Sequence, residues 1–301
     1  MVHNKLVDRL RQKIRGGVLP GEALCGYTTY ETGGAAEILV IPENSMELRL
    51  AVLFARNEGI PLTLLGAGSN VIVPDEGVDG ITICTKSNRT KLEIRDDGYC
   101  YADAGVMLDE MIRVAARKDR GGFHGISGIP GTIGGALVMN AGTDIATISD
   151  LVRSVEVLTK TGESGVLSSA ECDFGYRSSI FSDSDFIILG AEFKTIPVRG
   201  DEEEKVIDVV WQERKRKFPM ELPSAGSVFK RPDGDFAGRL IEKAGGKGMR
   251  VGGAVISERH ANFIVNTGDA TSNDIIELIH RVRNRVFSHS GIELELEQVL
   301  L

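Results

Sequence analysis

The sequence predicts an α+β fold built from two consecutive α+β units and a third, C-terminal part. Segments with apolar residues at helical spacing alternate with short strand-like segments along the chain. A length of 301 residues allows two to three domains, each of about 100 to 200 residues. A polar, charged run at residues 199–204 separates the last third from the rest. We therefore predict a division into residues 1–90, 91–200 and 201–301.

The first predicted unit opens with a helix and places a second helix between strands. The opening residues carry apolar side chains at helical spacing, namely Val2, Leu6, Leu10 and Ile14. A helix that begins near Ser45 is expected to end at Gly59 and Pro61, because glycine favours the left-handed C-cap and proline cannot continue a helix. The expected strands are residues 37–41, 62–65, 71–73 and 81–84.

The second and third units repeat this alternation. In residues 91–200 we expect a helix at 108–118 and strands at 92–95, 99–104, 152–158 and 186–196, with a turn at 160–162. In residues 201–301 we expect a helix that stops before Pro219, helices at 236–244 and 272–287, and strands at 254–256, at 262–265 and from 292.

Composition and charge exclude several classes of function. A formal net charge of -8 gives no electrostatic reason to bind nucleic acid or an anionic membrane. The four cysteines form no CxxC pair and no metal-ligand spacing, which favours reduced thiols. The opening helix lacks the apolar core of a signal peptide, and the chain has no apolar run of about 18 residues. We expect a cytoplasmic protein without a metal and without nucleic-acid or membrane partners.

A first glycine segment lies between two strand-like runs and contains Gly66, Gly68, Ser69 and Asn70. A dinucleotide-binding Rossmann turn needs a helix after its glycines, whereas a β-branched strand follows here, so we reject that interpretation. Two interpretations stay open. The exposed backbone N–H groups, with Ser69 and Asn70, could cradle a phosphate, or the segment could be a plain hairpin turn.

A second glycine segment is harder to explain by packing alone. Eight glycines occur between Gly121 and Gly142, interleaved with apolar residues. Glycine in ordered structure costs about 0.5 to 1 kcal/mol relative to alanine. The segment favours backbone packed against a large flat ligand such as a flavin with its diphosphate. The alternative is a glycine-rich crossover loop that packs only on protein.

These two segments, read with two later motifs, resemble the family of UDP-N-acetylenolpyruvoylglucosamine reductases. Residues 65–70 and 128–142 are similar to its flavin-binding motifs, residues 172–181 to its tyrosine–arginine motif, and residues 223–230 to its serine motif. Residues 238–266 and 291–297 also follow the family pattern. The resemblance runs from about Tyr27 to the C-terminus in the family's order.

The resemblance implies a fold, an activity and its cofactors. The implied fold is α+β, with a two-part FAD-binding region of the vanillyl-alcohol-oxidase (PCMH) type and a C-terminal α+β domain that binds the UDP-sugar. The implied activity is reduction of UDP-N-acetylglucosamine enolpyruvate to UDP-N-acetylmuramate in peptidoglycan synthesis, with FAD as cofactor and NADPH as reductant. The chain resembles the shorter family type, which lacks an extra substrate loop, and a monomer is expected.

The resemblance also assigns site residues by position. Arg177 would stabilise the enolate-like charge, Ser227 would donate a proton to carbon, and Glu297 would complete the catalytic set. The residues expected to bind substrate are Tyr176, Lys230 and Arg231. The residues expected to bind FAD are Gly66, Gly68, Ser69, Asn70, Ser127, Gly128, Ile129, Pro130, Gly131, Gly134, Gly135, Asn140, Ala141 and Gly142.

The chain departs from the family pattern at three places. Residues 143–147 replace an aromatic and further glycines, Arg231 stands where asparagine is common, and Gln298-Val299 replaces a branched residue followed by arginine. His260 and His280 are weaker candidates, because a structural or solvated histidine explains each at least as well.

Other readings remain beside the reductase. A flavin-dependent oxidase or dehydrogenase would share the glycine segments but gives no reason for Ser227, Lys230 and Glu297. A non-catalytic flavin or nucleotide-sugar binding protein would be favoured by loss of Arg177, Ser227 or Glu297, and all three are present. Taken singly, Arg177 could be a surface ion pair, Ser227 a turn residue and Glu297 an exposed residue of a terminal strand.

Overall fold

The chain forms two compact units, each made of non-contiguous segments. The computed structural model describes residues 2–86, 91–159 and 161–301, with side chains from residue 5 onward. The first unit comprises residues 1–20, 38–67 and 80–212, and the second comprises residues 21–37, 68–79 and 213–301. The division predicted at residues 90 and 200 stays a prediction. Its first boundary lies outside the described residues, as do Met1 and Lys160 of the predicted first helix and turn.

The first unit contains most of the strands, and the chain passes between units inside β2, β5 and α5. Its helices are α1 (Val2–Arg11), α2 (Ser45–Glu58), α3 (Leu108–Ala116), α4 (Ile133–Val138) and most of α5 (Gly200–Lys217). Its strands are β1 (Gly17–Pro20), β2 (Ala36–Ile41), β3 (Leu62–Leu65), β5 (Val78–Cys84), β6 (Leu92–Ile94), β7 (Tyr99–Asp103), β8 (Arg120–Gly121), β9 (Val152–Leu158), β10 (Ser164–Ser168), β11 (Ile187–Lys194) and β12 (Ile196–Pro197).

Two sheets organise the first unit. One has the order β1-β2-β5-β3, in which β3 pairs with β5 in parallel. The other has the order β10-β9-β11-β7-β6, and all its pairs are antiparallel. Each sheet has its own apolar cluster, one around Ile38, Val52 and Ile83 and the other around Val155 and Phe193.

The second unit is smaller and includes two early segments of the chain, residues 21–37 and 68–79. The α-helices and strands that lie wholly within it are β4 (Val71–Ile72), α6 (Ala237–Lys243), β13 (Arg250–Val251), β14 (Ala254–Ile256), β15 (Ile264–Asn266), α7 (Ser272–Ser290) and β16 (Val299–Leu300). Strands β13, β14 and β15 form one sheet, and β16 pairs in parallel with β4. Its apolar core joins Tyr30 and Ile72 to residues of α6 and α7.

The predicted boundaries of α2 are confirmed, and the caps explain them. Asn44 accepts a hydrogen bond from the backbone N–H of Glu47, and Gly59 ends the helix at φ 65. Strands β3, β9 and β14 also match the predicted residues. The predicted strand from residue 292 is wrong. In that region the chain forms an isolated bridge between Phe229 and Leu296, and only Val299–Leu300 is a strand.

The first turn of α2 contains a buried carboxylate that binds backbone N–H groups of the loop after α1 and of the residue before the N-cap. Glu47 is 6% exposed and accepts backbone N–H groups of Arg15, Gly16 and Glu43 at 2.9, 3.1 and 3.0 Å. Burial alone would raise the pKa of Glu47, but these hydrogen bonds and the Arg15 charge outweigh it and lower the pKa.

We expect Glu47→Gln to destabilise the fold in a pH-dependent manner. A pKa that is lower in the folded state contributes stability above the ordinary value of 4.5, and this contribution is lost as the pH falls through the folded-state pKa. The variant should therefore lose about 1 to 3 kcal/mol near pH 7. The difference from the parent should shrink below the ordinary pKa. Urea unfolding across that range measures it, with exposed Glu110→Gln as control, and a pH-independent difference would contradict this role.

All four cysteines are free, and burial raises the pKa of Cys100 to about 12 and of Cys172 to about 11. These two thiols are therefore protonated at neutral pH. Among the helices of the described residues, none is long and apolar enough to cross a membrane.

Candidate active site

The first glycine segment connects strands that belong to different sheets. It follows β3, which pairs with β5, and it precedes β4, which pairs with β16. Because β3 and β4 do not pair with each other, the hairpin interpretation is wrong. No helix follows the glycines, as the rejection of a Rossmann turn requires.

Both glycines of this segment are required by neighbouring protein atoms. A Cβ on Gly66 would lie 2.6 Å from Oγ1 of Thr132, within the first unit. A Cβ on Gly68, which has φ +64, would lie 2.2 Å from the carbonyl oxygen of Tyr27 in the second unit. Packing thus accounts for these two glycines without a ligand. Their predicted FAD contacts remain predictions.

The second glycine segment forms a tight turn and the short helix α4. Gly128 and Gly131 have φ values of 72° and 146°, conformations that L side chains avoid. Thr132 caps α4 by accepting the backbone N–H of Gly135. The predicted FAD-binding residues of this region lie in the turn or in the first turn of α4, namely Ser127, Gly128, Ile129, Pro130, Gly131, Gly134 and Gly135.

Two features of this turn fit a ligand better than protein packing alone. The Ser127 side-chain oxygen is buried and has no hydrogen-bond partner among the described residues. Gly134 is packed, since its Cβ would lie 3.1 Å from that of Ala104, whereas the Cβ of exposed Gly135 would meet only Thr132 Oγ1, at 3.6 Å. A buried orphan hydroxyl and a bare helix face suit a large polar ligand such as FAD.

Arg177 lies in a tight turn that is tied to the end of the second glycine segment. Tyr176 and Arg177 are the central residues of a turn closed by hydrogen bonds between Gly175 and Ser178. Arg177 has φ 55, an uncommon conformation for a long side chain, and its Nη2 donates to the carbonyl of Gly142 at 3.2 Å. Backbone strain of this kind often marks a functional position.

Asn140 holds this turn in place. It is 6% exposed and left-handed at φ 41. Its Nδ2 donates to Gly175 O at 2.8 Å, and its Oδ1 accepts the backbone N–H of Ser149 at 3.3 Å. The structure therefore brings Asn140, Gly142, Tyr176 and Arg177 together. Asn140 was predicted to bind the cofactor, but its contact with the Arg177 turn was not predicted from the sequence.

In the second unit, Ser227 lies on a segment held by backbone hydrogen bonds on both sides. The N–H of Val228 donates to Asn262 O at 2.9 Å, and the N–H of Glu297 donates to Val228 O at 2.8 Å. The side chain of Asn262 pairs with both the N–H and the carbonyl of Phe229, at 3.0 and 2.8 Å. Ser227 is half-buried, and within the described residues its hydroxyl has no hydrogen-bond partner.

Glu297 contacts the first glycine segment through its backbone. The carbonyl of Glu297 accepts Nδ2 of Asn70 at 3.1 Å, and the N–H of Val299 donates to Asn70 O at 2.9 Å. The structure thus brings together Ser227, Glu297 and Asn70, which the sequence placed in three separate motifs. The buried Asn262, in a predicted strand, was missed as part of this site.

The predicted substrate-binding cations have partners of their own. Lys230 Nζ pairs with Glu295 Oε1 at 2.5 Å, and the Arg231 guanidinium lies 4.0 Å from the ring centre of Phe236. In the described residues no hydrogen bond joins Lys230 to Ser227. His260 packs between Phe218 and Phe263, and burial lowers its pKa, whereas His280 is exposed.

Comparison with known proteins defines the class to which this fold and site belong. The family profile of the FAD-binding domain matches residues 36–167, and the profile of the C-terminal domain of UDP-N-acetylenolpyruvoylglucosamine reductase matches residues 218–301. The first range contains Gly66, Ser127 and Gly135, and the second contains Ser227 and Glu297. The chain is an oxidoreductase with an FAD-binding domain, and the predicted α+β fold with an FAD-binding domain and a C-terminal domain is confirmed.

Relatives over nearly the whole length establish the family. The reductase of Moorella thermoacetica is 42% identical over 292 residues, covering 97% of this chain and 96% of the relative. That of Streptococcus pneumoniae (strain Hungary19A-6) is 43% identical over 282 residues, covering 93% and 92%. The crystal structure of the Thermus caldophilus enzyme superposes with a TM-score of 0.80 at 35% identity, covering 95% and 99%. The chain belongs to the UDP-N-acetylenolpyruvoylglucosamine reductase family.

The contrast between Gly134 and Gly135 gives a test of FAD approach to α4. We expect Gly135→Ala to keep or slightly raise apoprotein stability, because the methyl group makes only an ordinary van der Waals contact with Thr132 Oγ1 and alanine favours a helix. If FAD packs on this face, its dissociation constant should rise on the order of tenfold. Flavin fluorescence titration measures it. Gly134→Ala, crowded against Ala104, should instead reduce apoprotein stability. Parental FAD affinity in Gly135→Ala would exclude close contact there.

Proposed function

We propose that this chain catalyses the NADPH-dependent, FAD-mediated reduction of UDP-N-acetylglucosamine enolpyruvate to UDP-N-acetylmuramate. The reaction belongs to peptidoglycan synthesis and takes place in the cytoplasm, where the chain acts as a monomer. One observation carries the proposal most strongly. The segments that bear Ser227 and Glu297 are hydrogen-bonded to each other through Val228, in a chain whose full-length relatives are named as this reductase.

The proposed cofactor site uses the two glycine segments. Gly66, Gly68, Ser69 and Asn70 would bind FAD from the first segment, and residues 127–131 with Gly134, Gly135, Asn140, Ala141 and Gly142 from the second. The orphan Ser127 hydroxyl and the bare face at Gly135 support this assignment. Bound FAD supplies the hydride that no amino-acid side chain can donate.

Arg177 would stabilise the negative charge that develops on the substrate carboxylate as the double bond is reduced. Its guanidinium is always protonated and offers several N–H donors. The turn between Gly175 and Ser178, tied down by Asn140, fixes its backbone in advance. Fixed donors stabilise a developing anion without reorganisation cost.

Ser227 would donate its hydroxyl proton to the substrate carbon. A serine hydroxyl is a weak acid, so it can do so only to a strongly basic carbon and with help for the alkoxide. Its half-buried hydroxyl has no hydrogen-bond partner within the described residues, so it is available to a substrate. Glu297, whose segment pairs with that of Ser227, would orient the reacting groups or share a proton. Lys230, Arg231 and Tyr176 would bind the UDP-sugar.

The competing flavin-dependent oxidase would need no acid to protonate carbon. It therefore gives no reason for Ser227 and Glu297 to occur on these neighbouring segments. A non-catalytic binding protein likewise gives no reason for the strained backbone of Arg177.

The visible spectrum under anaerobic conditions tests the proposal. Purified protein should show oxidised-flavin bands near about 370 and 450 nm. NADPH should bleach them, and the enolpyruvyl UDP-sugar should restore them with formation of UDP-N-acetylmuramate. A folded protein that neither contains nor takes up FAD would refute the cofactor claim. A flavoprotein that NADPH reduces but the enolpyruvyl sugar does not reoxidise would refute the substrate claim.

A further inference from the structure

Gln298 connects the two segments that carry Ser227 and Glu297. It directly follows Glu297 and is 3% exposed. Its Nε2 donates to Ala225 O at 3.0 Å and lies 3.5 Å from Gly226 O. These are the two carbonyls immediately before Ser227. One buried side chain thus ties the backbone on the N-terminal side of Ser227 to the residue next to Glu297.

Tyr30 fixes the orientation of this amide. Its hydroxyl donates to Oε1 of Gln298 at 3.0 Å, and the ring is fully buried. Burial raises the pKa of Tyr30 far above its ordinary range, against the opposing effect of Gln298, so the hydroxyl keeps its proton. With Oε1 committed as acceptor, the amide NH₂ must face Ala225 and Gly226. The backbone carbonyl of Tyr30 is held in turn by Nδ2 of Asn266 at 2.9 Å.

The buried amide of Gln298 depends on its hydrogen bonds. Burying an amide costs free energy that its hydrogen bonds must offset, and an apolar residue could fill the same volume without that cost. Both ends of the Gln298 amide have hydrogen-bond partners. Its Nε2 contacts the segment before Ser227, and its Oε1 contacts the hydroxyl of the fully buried Tyr30.

We propose that Gln298, oriented by Tyr30, is a positioning residue. It holds the backbone before Ser227 so that the Ser227 hydroxyl is correctly placed for proton delivery. The inference rests on the proposed function, because it assigns Gln298 a part in the step that Ser227 would carry out. Its physical basis is the sensitivity of proton transfer to small displacements of a donor. Without the contact to Ala225 and Gly226, the described backbone hydrogen bonds on either side of this segment are those of Pro223 with Asn266 and of Val228 with Asn262.

The test separates the two half-reactions in the holoenzyme. Gln298→Met keeps side-chain length but removes both hydrogen bonds. We expect its limiting rate of flavin reoxidation by the enolpyruvyl UDP-sugar to fall about tenfold or more. The substrate concentration for half-maximal rate should change by less than about twofold. Flavin reduction by NADPH should keep its parental rate. The solvent deuterium isotope effect on reoxidation should rise, because proton delivery becomes slower.

Tyr30→Phe removes only the orienting hydroxyl and should slow reoxidation about threefold to fivefold. Because Tyr30 acts through Gln298, the same change should have no further effect in a Gln298→Met background. A stability control is Ile279→Val, which trims a buried residue of α7 in the same apolar core. It should lower stability while leaving the reoxidation rate and the isotope effect unchanged.

The outcomes separate this inference from the function on which it rests. If the parental holoenzyme is not reoxidised by the sugar, the proposed function fails and this inference falls with it. If the parent is reoxidised and Ser227→Ala is slow, parental rates in Gln298→Met overturn the role of Gln298 alone. If Gln298→Met does not fold, Tyr30→Phe decides, and a parental rate and isotope effect there overturn the proposal.

Discussion

Ser227→Ala is expected to slow flavin reoxidation by the enolpyruvyl UDP-sugar on the order of 10²-fold or more, the usual cost of removing a positioned acid. Flavin reduction by NADPH should stay nearly intact, because that half-reaction needs no proton on the sugar carbon. Ser227→Cys should recover part of the rate, since a thiol also donates a proton. Stopped-flow spectroscopy under nitrogen isolates the second half-reaction.

The control for this prediction lies three residues earlier in the chain. Ser224→Ala also removes a serine hydroxyl from this segment, but it should leave both half-reactions at the parental rate. A parental reoxidation rate in Ser227→Ala would make Ser227 a turn residue. The acid would then have to be Glu297 or an ordered water.

Arg177→Asn should produce a stable protein that has lost most of its activity. Asparagine tolerates the left-handed conformation better than arginine does, and Arg177 has φ 55. The free energy of unfolding should therefore stay within about 1 kcal/mol of the parental value. Removing the guanidinium should reduce the reoxidation rate on the order of 10²- to 10³-fold, as for loss of an oxyanion-hole donor. Thermal unfolding and stopped-flow spectroscopy measure the two effects separately.

Two further variants define what the arginine contributes. Arg177→Lys keeps a positive charge without the planar fork and should show an intermediate rate. Arg199→Asn removes an arginine that pairs with Asp201 and Glu202 at the surface and should leave the rate unchanged. A parental rate in Arg177→Asn would restore the interpretation of Arg177 as a surface residue.

Elements with strong local signals could be predicted from the sequence. Helix α2 has an N-cap at Asn44 and a left-handed glycine at Gly59, so both of its ends are set by neighbours in the chain. Strands β3 and β9 are short apolar runs bounded by turn residues, and their residues were predicted correctly. The Tyr176–Arg177 turn and the Ser227 segment were recognised because their motifs are contiguous.

Elements with a weak local signal or a distant partner could not be predicted. Helix α4 contains Gly134 and Gly135, which disfavour a helix, and it forms because Thr132 caps it and its apolar side chains are buried. Strand β10 has a weak alternating pattern and lies at a sheet edge. The terminal strand was placed too early because its partner, β4, lies more than two hundred residues away in the sequence.

The same limit applies to the candidate site. The contact of Asn140 with Gly175 joins residues 35 apart, and that of Asn262 with Phe229 joins residues 33 apart. A sequence motif identifies the reacting side chain, but it does not identify the distant asparagine side chain that holds the backbone of that residue. The polar residues that fix Arg177 and Ser227 were for this reason visible only in the folded chain.

The second unit is assembled from three separate segments of the chain, and this limits where the chain can be cut or recombined. A fragment that begins at residue 213 would lack Tyr30 and Ile72, which are buried in that unit's core, and β16 would have no strand to pair with. Such a fragment would expose apolar surface and should aggregate when expressed alone. During synthesis, the two early segments, residues 21–37 and 68–79, cannot complete the core of the second unit until about the last ninety residues have been made. Recombination at the boundary of the C-terminal family profile would therefore exchange an incomplete module, and a functional chimaera would also need residues 21–37 and 68–79 from the same parent.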